Sequence, residues 1–245
     1  MGGDVVLAGH LARGDIDQET SSKSSPTDLV TATDRASEAA IVHYLTTQRP
    51  KDGILAEEGS ERVGTSGVCW VIDPLDGTTN FFYGHPGFSV SIAACDESGP
   101  LVGVVLDPWR QETFQAALGS GSTLNGRSLR CRTDTNLSLA LVATGFAYRE
   151  AQRRKQAEIV AQLLPHIRDI RRVGSAALDL CSVAAGRVDA YFEVGLQPWD
   201  LAAGSLVAAE AGAFVTDFTG GAPSAEGCIA ANPTLHRALL QAFHV

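Results

Sequence analysis

The chain has 245 residues, of which 44% are hydrophobic and 19% are charged, and this composition is typical of a globular protein with a sizeable core. Its formal net charge of −9 and its lack of long lysine and arginine runs argue against a nucleic-acid-binding face. Because no stretch of 18 apolar residues is present, no membrane-spanning helix is predicted.

The N-terminus and the cysteines indicate a compartment. Residues 1–18 lack a basic segment followed by an apolar core, so they are not predicted to form a signal peptide. The five cysteines are widely spaced and form no CxxC motif, so each is interpreted as a small buried hydrophobic residue. These features predict a cytoplasmic location.

The first half of the chain predicts one helix followed by several strands. The polar residues 20–27 are interpreted as a linker, or as a mobile flap that carries Lys23. Apolar residues with helical spacing then predict a helix over residues 34–45. Apolar or alternating runs predict strands at residues 53–56, 68–72, 88–92, 101–106 and 112–117, and glycines predict turns over residues 119–127.

In the second half of the chain, helices and strands alternate. Helices are predicted at residues 152–164, 175–185 and 200–211, and strands at residues 189–194, 213–217 and 228–231. This mixture predicts layers of sheets and helices. We interpret residues 1–245 as a single domain, with a possible sub-domain boundary near residue 150.

The most informative segment is DPLDGT at residues 73–78, which directly follows a buried strand. Its proline fixes φ and its glycine permits unusual backbone angles, which makes a rigid turn. The turn presents the carboxylates of Asp73 and Asp76, with the carbonyl of Leu75 between them. Oxygen ligands of this kind suit a hard cation such as Mg²⁺.

Two further acidic positions are candidates for the same site. Glu57 and Glu58 follow a short apolar run abruptly, and either could add a third carboxylate. Asp200 is interpreted as a helix N-cap that could also ligate metal and contact a phosphate, since a helix N-terminus presents N–H dipoles. A cluster that holds two or three cations predicts hydrolysis of a phosphate ester by a metal-activated water.

These motifs resemble the signature of the inositol monophosphatase family, one branch of the lithium-sensitive, magnesium-dependent phosphatases. The resemblance rests on DPLDGT, on EE at residues 57–58 and on WDLAAG at residues 199–204, and it extends over residues 23–232. It implies an alternating α-β-α-β-α layered fold of the inositol monophosphatase and fructose bisphosphatase type. It also implies a homodimer, two or three Mg²⁺ ions per site and inhibition by Li⁺.

The resemblance further implies a set of metal ligands. Glu57, Asp73 and the carbonyl of Leu75 would hold one Mg²⁺. Asp73, Asp76 and Asp200 would hold the second, and Glu57 would also face a third, weaker ion. The residues implied in catalysis are Glu57, Thr78, Asp34 and Asp76.

Thr78, oriented by Asp34, would help to activate the attacking water, and Lys23 resembles a flap lysine near the site. The segment RVGSAA at residues 172–177 resembles the substrate loop, and Glu193 resembles the carboxylate that binds ring hydroxyls. The residues implied in substrate binding are Glu57, Leu75, Asp76, Gly77, Thr78, Gly174, Ser175, Ala176, Glu193 and Asp200.

Inositol 1-phosphate is the leading substrate hypothesis, because TNF at residues 79–81 and SAALDLC at residues 175–181 resemble the inositol-phosphate branch. Histidinol phosphate, fructose 1,6-bisphosphate, phosphoadenosine phosphate and glycerol phosphates remain alternatives, since a shared fold and motif do not fix the substrate. Residues 145–148 and 197–198 also differ from those at the same positions in the animal enzymes. This difference weakens the expectation of strict specificity for inositol phosphates.

Two expectations concern other features of the chain. Some bacterial relatives act as binding proteins in RNA-processing or transcription complexes, which is an alternative role, although no basic patch supports it here. Members of the family usually carry a longer N-terminal helix before the flap lysine. This chain offers few apolar residues there beyond residues 5–11, so the sequence leaves the presence of that helix open.

Overall fold

The computed structural model describes residues 1–11, 20–22, 29–134 and 136–243. Within these ranges the helices are α1 (Gly2–Leu11), α2 (Ala32–Gln48), α3 (Thr78–Tyr83), α4 (Glu150–Leu163), α5 (Ala176–Ala184), α6 (Pro198–Glu210) and α7 (Pro233–Phe243). The strands are β1 (Thr20–Ser22), β2 (Leu29–Thr31), β3 (Gly53–Ala56), β4 (Glu61–Arg62), β5 (Cys69–Asp76), β6 (Ser89–Asp96), β7 (Gly99–Asp107), β8 (Glu112–Ala117), β9 (Ser122–Leu124), β10 (Arg127–Ser128), β11 (Leu141–Thr144), β12 (Asp169–Arg171), β13 (Ala190–Glu193), β14 (Phe214–Thr216) and β15 (Cys228–Ala231).

Two mixed sheets carry most of these strands. The large sheet has eight strands in the order β10-β9-β8-β7-β6-β5-β3-β4, and its neighbours are antiparallel except for β3 and β5. The small sheet has five strands in the order β12-β11-β13-β15-β14, in which β11 runs parallel to both β12 and β13. Strands β1 and β2 pair separately as a short antiparallel ladder.

Helices cover both faces of each sheet. Helices α1 and α2 pack on one face of the large sheet, where Val6 and Ile41 meet Ile72. Helices α5 and α6 lie between the two sheets, and α4 and α7 cover the outer face of the small sheet. The order of layers is therefore α-β-α-β-α, and the fold class expected from the sequence is confirmed.

Helix α1 (Gly2–Leu11) answers a question that the sequence pattern left open, namely whether a first helix is present. Its sequence GGDVVLAGHL is rich in glycine, which disfavours helices in isolation. Here the glycines permit close packing, because a Cβ on Gly2 would lie 2.8 Å from Ile41 and one on Gly3 would lie 2.2 Å from Leu106. Tertiary contact with α2 and the large sheet therefore stabilises a helix that has a poor intrinsic propensity.

Three further sequence expectations need correction or limits. Residues 119–127, expected to be turns, contain β9, because Leu124 pairs with Phe114 of the neighbouring strand. Residues 20–22, expected to be part of a linker, form β1, while Lys23 lies outside the described residues. Of the five cysteines, all free, Cys181 and Cys228 are buried, and the remaining three are partly exposed.

Among the described helices, none is long and apolar enough to cross a membrane.

Candidate active site

A bulge at the end of β5 places two carboxylates together. In the pairing with β6, Asp73 lies opposite Ser91 and Asp76 lies opposite Ser89, so three steps along β5 match two steps along β6. In a regular strand, residues three apart point to opposite faces of the sheet. The extra residue in the bulge lets Asp73 and Asp76 point the same way, and Pro74 suits this position because it donates no ladder hydrogen bond.

A third carboxylate reaches the same place from α6. One oxygen from each of Asp73, Asp76 and Asp200 lies within 4.8 Å of the other two. Asp200 is not the N-cap that the sequence suggested, because α6 begins at Pro198 and Gln197 is its N-cap. Asp200 is instead the third helical residue, and its carboxylate accepts a hydrogen bond from the Gln197 amide at 2.7 Å. This capping bond fixes the side chain.

The electrostatics of the three carboxylates fit a divalent cation. Burial, together with the neighbouring acidic groups, raises the pKa of Asp73 and of Asp200 well above the usual range. Burial also raises the pKa of Asp76 to about 6, although hydrogen bonds from Ser175 and Ala177 oppose this shift. Buried anionic oxygens at this spacing repel one another, and a hard cation with oxygen ligands would neutralise them.

Glu57 lies beside this cluster on the loop that follows β3. The Glu57 carboxylate raises the pKa of Asp73 and lines the same cleft. The loop is held by Glu38 of α2, whose carboxylate accepts hydrogen bonds from the amides of Glu58 at 2.7 Å and Ser60 at 3.0 Å. Glu38 is a positioning group that the sequence did not reveal, since its contact spans about twenty residues.

Thr78 connects the acidic turn to Asp34. The Thr78 hydroxyl lies 3.0 Å from Asp34 Oδ1 and 3.0 Å from the carbonyl oxygen of Leu75. Asp34 is fixed in turn by a hydrogen bond of 2.8 Å from the Thr31 amide at the start of α2. Burial raises the pKa of Asp34, and hydrogen bonds from Thr31 and Thr78 oppose the shift. When its hydroxyl donates to Asp34, the Thr78 oxygen can accept a hydrogen bond from a water.

The segment at residues 172–177, which resembles a substrate loop, packs directly on the acidic turn. Ser175 donates to Asp76 Oδ2 at 2.6 Å, and the Ala177 amide donates to the same oxygen at 2.9 Å. Gly77 has a φ of +93°, and a Cβ there would lie 2.7 Å from the Gly87 carbonyl oxygen, so the position requires glycine. Residues 174–176 therefore lie beside the turn, and their role in substrate binding stays a prediction.

Glu193 lies in the same cleft. Its carboxylate accepts a hydrogen bond of 2.8 Å from the Tyr191 hydroxyl, and burial raises the pKa of Glu193 to about 7. The cleft has a volume of about 470 Å³, which is within the usual range for small-molecule sites. Its lining also includes residues that sequence reasoning did not single out: Arg149, Gln152, Asp179 and Leu196.

Comparison with known proteins identifies the family. Residues 4–245 match the family model described as "Inositol monophosphatase family". The chain belongs to the inositol monophosphatase family. The chain is similar to the inositol-1-monophosphatase SuhB of Mycobacterium tuberculosis, with 47% identity over 243 residues that cover 94% of this chain and 83% of the relative.

Two other similar proteins add to this comparison. The Nus factor SuhB of Escherichia coli K12 is 47% identical over 226 residues, which cover 91% of this chain and 84% of the relative. The crystal structure of the extragenic suppressor protein suhB from Bartonella henselae has a TM-score of 0.92 at 37% identity, covering 99% of this chain and 93% of that chain. The chain is a phosphatase by family, as the sequence motifs predicted.

The structure brings together the residues that the family resemblance implied. Those that line the cleft are Glu57, Asp73, Leu75, Asp76, Gly77, Thr78, Gly174, Ser175, Ala176, Glu193 and Asp200. Asp34 lies behind them and contacts Thr78. Lys23, the expected flap residue, lies outside the described residues. The individual roles of these side chains stay predictions.

Proposed function

We propose that this chain hydrolyses phosphate monoesters of small polyols in a magnesium-dependent reaction, with inositol 1-phosphate as the best candidate substrate. The observation that carries the proposal is the convergence of Asp73, Asp76 and Asp200 beside the pair formed by Thr78 and Asp34. A cation-binding cluster and a group that can orient water therefore share one cleft. The products would be the free alcohol and inorganic phosphate.

The residues that would hold the cations are Glu57, Asp73, the Leu75 carbonyl, Asp76 and Asp200. When bound, Mg²⁺ supplies Lewis-acid stabilisation to the phosphate oxygens and to the leaving oxygen. Two or three ions per site fit the number of carboxylates, and inhibition by Li⁺ is expected from family membership.

The chain's own groups would position the reactants. The Thr78 hydroxyl would accept a hydrogen bond from the attacking water while it donates to Asp34, which orients a lone pair of the water towards phosphorus. The backbone amides of Gly77 and Thr78 would donate to the phosphate, and Glu193 would accept hydrogen bonds from the alcohol portion. Such positioning converts binding energy into rate.

A panel of substrates tests this function. We expect kcat/KM to be highest for inositol 1-phosphate when it is compared with histidinol phosphate, fructose 1,6-bisphosphate, phosphoadenosine phosphate and glycerol 2-phosphate, all with Mg²⁺. Activity should vanish in EDTA and return with excess Mg²⁺. Full activity in EDTA would contradict the metal requirement. A clear preference for another ester would contradict inositol 1-phosphate as the substrate. We also propose that the chain is located in the cytoplasm and forms a homodimer. Size measurements in solution can check the homodimer.

The relative named Nus factor SuhB supports a second candidate function, binding within a transcription complex. The acidic net charge of −9 favours a protein partner over direct contact with nucleic acid. An Asp76→Asn variant that lacks phosphatase activity separates the two functions. Capture of RNA polymerase by this variant from a lysate of the source organism, at several salt concentrations, would support the binding role, and no capture would remove it.

A further inference from the structure

The carboxylate of Glu193 rests on a buried phenol. Tyr191 is fully buried, and its hydroxyl donates to Glu193 Oε2 at 2.8 Å. The two residues are two apart on β13, so their side chains lie on the same face of the small sheet. Burial raises the pKa of Tyr191 well above its usual value, and the phenol therefore remains a hydrogen-bond donor across the physiological pH range.

A glycine bounds the same carboxylate on another side. Gly145 directly follows β11, which runs parallel to β13 with Thr144 paired to Phe192. A Cβ at Gly145 would lie 2.0 Å and 2.4 Å from the two oxygens of Glu193, which is far inside van der Waals contact. The carboxylate therefore lies against the Cα of Gly145, and any larger residue there would displace it.

We propose that Tyr191 is a positioning residue for substrate specificity, which acts through Glu193. The phenol and the space left by Gly145 hold the carboxylate in one orientation, where it can accept hydrogen bonds from hydroxyl groups of a ring polyol phosphate. The inference rests on the proposed phosphatase function. It assigns the selection of polyol substrates to a buried residue that need not touch the substrate.

Titratable groups on neighbouring elements affect how strongly Glu193 depends on this support. Asp76 and Asp179 face it and disfavour its charged form, while Arg172 on the rim favours that form. The charge of Glu193 also raises the pKa of Asp200 on α6 and the pKa of the buried Cys228 thiol on the adjacent strand. Tyr191 opposes burial by lowering the pKa of Glu193, so loss of the phenol hydroxyl leaves the carboxylate less ionised at neutral pH.

The test is the variant Tyr191→Phe, which keeps the ring and removes one hydroxyl. With Mg²⁺ present, we expect KM for inositol 1-phosphate to rise by roughly 10-fold while kcat changes little, since a hydrogen bond to a charged group is lost. Phenyl phosphate has no hydroxyl for Glu193 to bind, so both of its constants should stay near the wild-type values. Tyr83→Phe, which removes an exposed phenol hydroxyl, is the matched control.

A double-mutant cycle separates positioning from a merely structural role. In a Glu193→Gln background, Tyr191→Phe should have almost no further effect on KM for inositol 1-phosphate, because its target is already altered. The preference for inositol 1-phosphate over phenyl phosphate should decline as the pH is lowered and Glu193 becomes protonated. In the Tyr191→Phe single variant, this decline should occur at a higher pH than in the wild type, because the pKa of Glu193 is raised. Gly145→Ala displaces the carboxylate from the other side and should reproduce the substrate pattern of Glu193→Gln.

The outcomes are distinguishable. Equal losses with both substrates, or the same loss in the Glu193→Gln background, would overturn the inference and leave the proposed function intact. The same holds if Tyr191→Phe retains wild-type KM for inositol 1-phosphate. A wild-type protein that hydrolyses no ester with Mg²⁺ would overturn the proposed function and, with it, the inference. Thermal unfolding of each variant checks that it is folded, and Gly145→Ala provides independent evidence if Tyr191→Phe fails to fold.

Discussion

The two ends of the cleft are built in different ways. The acidic end takes Asp73, Asp76 and Thr78 from one six-residue segment and adds one carboxylate from the start of α6. The end around Glu193 depends instead on Tyr191 beneath it and on a glycine from a neighbouring strand. The difference teaches that the acidic cluster is built mainly from a compact local motif, whereas the surroundings of Glu193 depend on packing between neighbouring strands.

The strongest test of the acidic end is Asp76→Asn. This substitution removes one negative charge from the carboxylate cluster while preserving shape, so we expect kcat with Mg²⁺ to fall by roughly 10³-fold. Circular dichroism should show an unchanged fold. Near wild-type turnover in this variant would exclude Asp76 from the cation-binding cluster and would break the contrast between the two ends.

The next largest effect is expected for Thr78→Ala. The hydroxyl that contacts Asp34 at 3.0 Å is lost, and we expect kcat to fall by roughly 100-fold with little change in KM. Steady-state kinetics with inositol 1-phosphate provide the measurement, and Thr79→Ala, on the neighbouring position, is the matched control. A rise in KM with unchanged kcat would show that Thr78 binds substrate and does not orient water.

Ser175→Ala sharpens the comparison, because Ser175 belongs to the predicted substrate loop yet contacts the acidic end. Its hydroxyl donates to Asp76 at 2.6 Å and lowers the pKa of Asp76, so its loss should raise that pKa above about 6. Protons then compete better with Mg²⁺. We expect the Mg²⁺ concentration for half-maximal activity to rise by roughly 10-fold, and by more at pH 6 than at pH 8.

Ser175→Thr retains a hydroxyl and is the control for the Ser175→Ala measurement. An equal rise in the Mg²⁺ requirement at both pH values would show that Ser175 acts as the N-cap of α5, through its bond to the Leu178 amide, and not through Asp76.

The smallest effect concerns stability without metal. The carboxylates of Asp73, Asp76 and Asp200 have raised pKa values when folded, so the folded state binds more protons than the unfolded state above about pH 4. Their contribution to the free energy of unfolding therefore declines as pH rises through the folded pKa values. In EDTA at pH 7.5, Asp200→Asn should have a Tm a few degrees higher than the wild type, by about 2–4 °C.

At pH 4.5 this difference in Tm should shrink, because the wild-type carboxylates are then largely protonated. Excess Mg²⁺ at pH 7.5 should reverse the order, since the ion stabilises the intact cluster by binding only the folded state. An Asp200→Asn variant with a lower Tm in EDTA would show that the capping bond to Gln197 outweighs the charge repulsion.

The elements that sequence reasoning predicted well have a local cause. Strands β3, β8 and β15 coincide with the predicted ranges, because their apolar or alternating patterns match a buried strand. The presence of helix α1 was left open, because its stability depends on glycine contacts with Ile41 and Leu106. The bulge in β5 was missed, although it decides that Asp73 and Asp76 share a face.

By itself, the sequence indicated the family, the layered fold and the acidic turn, because each is signalled by short motifs or periodic patterns, within which the residues are close together in the chain. The tertiary structure decided the position of Asp200 in its helix, the support of the Glu57 loop by Glu38 and the enclosure of Glu193 by Tyr191 and Gly145. The physical reason is range: periodicity and turn chemistry act over a few residues, whereas these contacts join separate strands and helices whose spacing no local pattern encodes.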